Sequence, residues 1–113
     1  QTMSFVSSIA KELTMLSKVV GVFYSTRDFK GKEYHDLVIT HKANNQFFSY
    51  ELGANLPKNK SFLEKVLKDH GFTGEVNLEL LQRINEEYSD LLDTEATYHL
   101  TFRNGEITRV RKV

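Results

Sequence analysis

The chain has 113 residues, 40% hydrophobic and 27% charged, with a formal net charge of zero and no cysteine. That length makes one domain, taken as residues 3–113 and able to bury about two thirds of its unfolded surface. The composition excludes disordered and fibrous classes, disulfides and thiolate metal sites, and the charge balance argues against a general affinity for nucleic acid or anionic membrane.

The charge is unevenly placed. Between Glu75 and Glu95 the acids Glu75, Glu79, Glu86, Glu87, Asp90, Asp93 and Glu95 face the single base Arg83, while from His99 onward Arg103, Arg109, Arg111 and Lys112 face only Glu106. A one-signed patch on a neutral protein steers a partner without setting the fold. No apolar run is long enough for a membrane span, and neither a signal peptide nor a lipidation motif is visible, so no membrane contact is expected. With Gln1-Thr2 read as a remnant ahead of Met3, the protein is expected to be cytoplasmic. If Gln1 is instead the product of signal cleavage, it is secreted or periplasmic.

In chain order, Phe5, Val6, Ile9, Ala10, Leu13 and Leu16 fall on one arc of a helical wheel with Met15 opposite, and Ser4 can cap that helix. Val19–Tyr24 reads as a strand and Arg27–Glu33 as a hairpin loop. An Asn44-Asn45 turn sets Leu37, Ile39 and His41 opposite Leu52, Tyr50 and Phe48 on one shared face, since asparagine tolerates the positive φ of a type I′ turn. Gly53–Pro57 is a loop. Ser61 and Glu64 have capping-box spacing ahead of a helix with Phe62, Leu63, Val66 and Leu67 inward and Gly71 at its C-terminal end. Asn77 can cap a further helix that buries Leu78, Leu80, Leu81, Ile84, Tyr88, Leu91 and Leu92 and turns Glu79, Glu86, Asp90 and Asp93 outward. Asn104-Gly105 then joins two closing strands. The order α-β-β-β-α-α-β-β predicts a two-layer α+β domain, an antiparallel sheet of about five strands with helices on one face.

The closing hairpin contains a conflict. A regular ladder across Asn104-Gly105 puts Arg109 and Arg111 on the same face as Tyr98, Leu100, Phe102 and Ile107, toward the core. A bulge or a longer turn would turn Val110 in and the arginines out; alternatively the arginine stems cover the core edge and their guanidinium groups reach water or stack on Tyr98.

Catalytic signatures are missing: no G-x-S-x-G serine occurs, and no glycine-rich phosphate loop. His35 and His41 lie roughly 20 Å apart on one strand and cannot share a zinc ion, so no metal or cofactor is expected. His41 with His70 or His99 would require tertiary convergence, and His70 is read as a helix-end histidine favoured by the dipole. Three functional expectations follow. The leading one is a non-enzymatic macromolecule-binding domain (inhibitor, adaptor or regulatory subunit) that docks a protein partner through Glu79, Glu86, Asp90, Asp93 and the loop aromatic Phe29. An alternative is nucleic-acid binding by Arg103, Arg109, Arg111 and Lys112. Another is a ligand or catalytic pocket lined by His41, Tyr50 and Tyr98. Pairing of edge strands leaves a homodimer open.

Overall fold

In a computed structural model that describes residues 12–113, the order is β1 (Glu12–Phe29), β2 (Lys32–Ala43), β3 (Gln46–Gly53), α1 (Lys60–Asp69), α2 (Leu78–Leu91), β4 (Tyr98–Arg103) and β5 (Glu106–Lys112). The five strands form one antiparallel sheet in the order β3-β2-β1-β4-β5, which with its two helices makes the expected two-layer α+β domain. The expected cap Ser4 and the helical positions Phe5, Val6, Ile9 and Ala10 lie outside the described residues. Leu13 and Leu16, assigned to the same helix, belong to β1. There the helical face is inverted, with Met15 packed on the core and Leu13 and Leu16 exposed.

The long strand β1 joins two halves of the sheet. Residues Glu12–Ser17 pair with β4, and Lys18–Phe29 pair with β2. Val20 is an extra residue between Val19, opposite His41, and Gly21, opposite Thr40. This bulge shifts the inward phase from Ser17 and Val19 to Val22 and Tyr24, all four of which are buried. The sheet curls far enough that rings from its two halves meet, Phe48 on β3 lying 4.9 Å from Phe102 on β4.

All three hairpins close with two-residue turns in which both residues have positive φ: Lys30-Gly31, Asn44-Asn45 and Asn104-Gly105. That is the turn whose twist matches the flanking strands. The first turn is therefore much tighter than a loop over Arg27–Glu33, because Phe29 already pairs with Lys32. In the second hairpin the expected register holds: Leu37, Ile39 and His41 face Leu52, Tyr50 and Phe48.

Helix α1 begins one residue before the expected capping box. Asn59 is its N-cap and makes no side-chain cap bond; its Oδ1 instead accepts from the Asn55 amide at 3.0 Å. Phe62, expected inside, is half exposed, whereas Leu63, Val66 and Leu67 are buried. The helix ends as anticipated. Gly71 has φ +93, its amide donates to Lys68 O, and the Phe72 amide reaches back to Leu67 O at 2.9 Å. Asn77 caps α2, its Oδ1 accepting from the Leu80 amide at 2.9 Å, and Leu80, Leu81 and Ile84 are buried while Leu78 is exposed. No helix among the described residues is long and apolar enough to cross a membrane.

Candidate functional site

Among the described residues both helices pack on the same side of the sheet, and neither covers its other, open side. Alternation sends Leu16, Lys18, Phe23 and Arg27 of β1 to that open side, with Val38, Thr40 and Lys42 of β2 and Phe47 of β3. The last two strands add His99, Thr101 and Arg103, then Arg109 and Arg111. The conflict in the closing hairpin is resolved by a bulge: Phe102 pairs with Ile107 but Thr101 pairs with Arg109, so Thr108 is extra. Val110 then lies opposite Leu100 and is buried, and both arginines point outward.

The open face combines exposed apolar side chains with cations that have no ion-pair partner among the described residues, and by the same register it also carries Asp36 and Glu51. Leu16 is 57%, Phe23 59% and Phe47 67% exposed. Lys18, Lys42, Arg109 and Arg111 lack a carboxylate partner among the described residues, whereas Arg27 is matched by Asp36 at 3.1 Å. Lys18 and Lys42 are direct cross-strand partners, a like-charge pair that destabilises a sheet unless an anion relieves it. Lys18 Nζ donates to Glu95 O at 2.7 Å, which orients the ammonium without neutralising it. Lys42 Nζ lies 5.6 Å from the centre of the Phe47 ring. A notch of about 30 Å³ is lined by His99, Thr101, Arg109 and Arg111.

Lys112 does not join these arginines. It faces the other side, with Nζ 2.7 Å from Asp93 Oδ2. Asp93 in turn leaves the expected acidic stripe, because α2 has already ended and its Oδ1 accepts from the Glu95 and Ala96 amides. The hydrogen bond from Lys112 holds the Asp93 carboxyl below the usual range. Glu79, Glu86 and Asp90 remain on the solvent side of α2, where Arg83 bridges Glu79 and Glu87. Phe29 sits at the tip of the first hairpin, half exposed, with Lys30 Nζ 5.3 Å from its ring centre.

The expected pocket of His41, Tyr50 and Tyr98 is not assembled. His41 and Tyr98 are fully buried, while Tyr50 opens onto a separate groove with Phe62, Lys65, Asp69 and Arg111. In place of a cavity, the core holds a hydrogen-bonded chain. Ser17 Oγ is 2.9 Å from His41 Nδ1, His41 Nε2 is 3.1 Å from His70 Nε2, and His70 Nδ1 is 2.8 Å from Val66 O. The Val66 carbonyl can only accept, so His70 Nδ1 carries its proton and neutral His70 accepts at Nε2. His41 then donates from Nε2 and accepts at Nδ1 from Ser17. Every polar side-chain atom buried among the described residues has a partner. Burial, with the neighbouring His70 second, pushes His41 down to about 3. Burial also lowers His70, against the opposing effects of Val66 O and Asp69. Tyr98 is pushed up to about 12 by burial and then by Asp93, so its hydroxyl stays a donor, to Asp93 O.

A serine beside a histidine is the minimal nucleophile–base pair, but this one is poorly suited to catalysis. Ser17 is 3% exposed, and an imidazole titrating near 3 is a feeble base at neutral pH. Sequence reasoning missed Ser17 altogether; its signal was a hydroxyl in the inward phase between Met15 and Val19. His41 and His70 were singled out separately, and their convergence came only with the tertiary fold, while His99 lies on the opposite face. No cluster of metal-ligating side chains occurs among the described residues. Comparison with protein-family models, curated proteins and solved structures finds no match for this chain.

Proposed function

We propose that the protein is a small non-enzymatic binding domain that engages an anionic macromolecule through the open face of its sheet. The observation that carries this reading is the set of cations Lys18, Lys42, Arg109 and Arg111, without a carboxylate partner among the described residues, around exposed Leu16 and Phe47 on a face that neither described helix covers. Such a face in a protein of zero net charge gives local attraction without general stickiness. The acids of α2 lie on the helix layer and orient the molecule so that this face leads toward a negative partner. A protein partner docking on Glu79, Glu86, Asp90 and Phe29 has weaker support, since Arg83 already offsets part of the stripe.

Heparin, used as a generic polyanion, tests the reading. The protein is expected to bind it at low salt, and the double variant Arg109→Glu/Arg111→Glu to lose that binding while keeping its melting temperature. Lys68→Glu, exposed on α1 and away from both arginines, is the control and should bind as the parent does. If the parent fails to bind, or the double variant binds equally well, this face is not the contact surface.

A further inference from the structure

We infer that the anionic partner is a single-stranded nucleic acid, with its phosphates held along a line of cations across the sheet and a base stacked on Phe47; this rests on the reading of the open face as the binding surface. The line follows from register. Phe47 pairs with Lys42, and Lys42 with Lys18. Two positions along β1, Leu16 pairs with His99, and His99 with Arg111; beside them Thr101 pairs with Arg109. At about 4.8 Å between strands, the span from β3 to β5 is roughly 19 Å, the scale of a few nucleotides.

Three features favour a single strand over other polyanions. First, Phe47 is 67% exposed at the rim of the sheet, and Lys42 covers only one of its ring faces, at 5.6 Å. The exposed ring suits an unpaired base, whereas a plain polyanion such as poly-glutamate has no ring to stack on it. Second, the notch between His99, Thr101, Arg109 and Arg111 surrounds a single-oxygen volume with guanidinium, imidazole and hydroxyl groups, which is the donor chemistry of a phosphate contact. Third, the cross-strand repulsion of Lys18 and Lys42 is relieved by one bridging anion, so affinity is built into a pair that otherwise weakens the sheet. A duplex fits poorly. It hides its bases from Phe47, so the stacking contact on this face is lost.

Fluorescence anisotropy with labelled dT and rU 12-mers, a 12-base-pair duplex and poly-glutamate tests this directly. Both single strands, or one of them, should bind, and comparing the two tells DNA from RNA as the preferred source. With four phosphate contacts the log–log salt slope should be about −2.8, or roughly 50-fold weaker binding from 50 to 200 mM salt; with Arg109→Glu/Arg111→Glu the slope should fall to about −1.4 or binding vanish. Phe47→Leu keeps an apolar side chain but removes the ring. It should weaken the single strands by about five-fold or more and leave poly-glutamate unchanged. Circular dichroism melts confirm that each variant is folded. If poly-glutamate binds through the arginines and the single strands do not, the open face remains the binding surface and the nucleic-acid inference is overturned. Equal binding of duplex and single strand, or indifference to Phe47→Leu, also overturns it. If no polyanion binds, both readings fall.

Discussion

The buried chain from Ser17 to His70 makes acid the sharpest probe of the core. In the unfolded chain each imidazole titrates near 6.5, whereas native His41 titrates near 3 and His70 is also lowered. The native state therefore excludes protons that the unfolded state binds. Stability is complete above about pH 6.5 and is lost as the pH falls from there toward 3. For His41 alone the loss is about 2 kcal/mol at pH 5 and about 3 kcal/mol at pH 4, and His70 adds to it in the same direction. Against a total of roughly 5–15 kcal/mol for a domain, that is a large fraction. Urea unfolding followed by far-UV circular dichroism, at several pH values from about 7.5 to about 4.5, gives the slope; the chain has no tryptophan to serve as a reporter. His41→Gln is expected to be less stable at neutral pH, by about 1–3 kcal/mol for each partner left unpaired, yet to lose less per pH unit on acidification. Should that variant fail to fold, the imidazole resonances of the parent serve instead, with His41 staying neutral at pH 5. A wild-type stability that is flat between pH 6.5 and 5, or a His41 that protonates near 6, would refute the account.

Three further outcomes test the fold and the faces. Gly71→Ala should lower the melting temperature by more than about 10 °C, because a Cβ there would lie 2.8 Å from Asp93 Cβ at φ +93; Gly31→Ala, with open space at φ +77, should lower it by only about 5 °C. Deleting Thr108 removes the bulge but keeps Val110 opposite Leu100, so melting should change little, whereas deleting Thr101 from the facing strand turns Leu100 outward and should unfold the domain. Charge reversal by Glu86→Lys/Asp90→Lys should leave the melting temperature within about 3 °C and should not weaken polyanion binding, since those acids lie on the helix layer. A strong loss of binding there would return the acidic stripe to the contact surface.

Features that a few neighbouring residues decide were legible from the chain. The Asn44-Asn45 and Asn104-Gly105 turns, the Asn77 cap and the left-handed Gly71 each follow from one residue's preference for a backbone conformation, and each formed as expected. Local signals also misled where two patterns overlap. Leu13 and Leu16 fit a helical arc, yet pairing of Glu12–Ser17 with β4 claims them for a strand and leaves both exposed. The Ser61–Glu64 spacing was outweighed by the loop ahead of it, which engages Asn59 and starts the helix earlier. The histidine chain had no local signal, because its contacts join residues 24 and 29 positions apart.

The open face depends on two single-residue bulges, which is why its composition could not be read from alternation. With side chains alternating every residue, one uncounted position exchanges inside for outside over the rest of a strand. Without Val20 in excess, the outward phase of Lys18 would continue through Val22 and Tyr24, exposing two core residues and burying Phe23. Without Thr108 in excess, Arg109 and Arg111 would enter the core and Val110 would leave it. Both bulges thus put apolar residues inside and, by the same step, send Phe23, Arg109 and Arg111 to the face that also carries Lys18 and Lys42. Core packing alone accounts for Val22, Tyr24 and Val110. It does not account for arginines at 109 and 111, or for a lysine opposite a lysine, where threonine would have served a solvent-facing strand at less electrostatic cost. The residues that folding leaves unexplained are the ones an anion would bind.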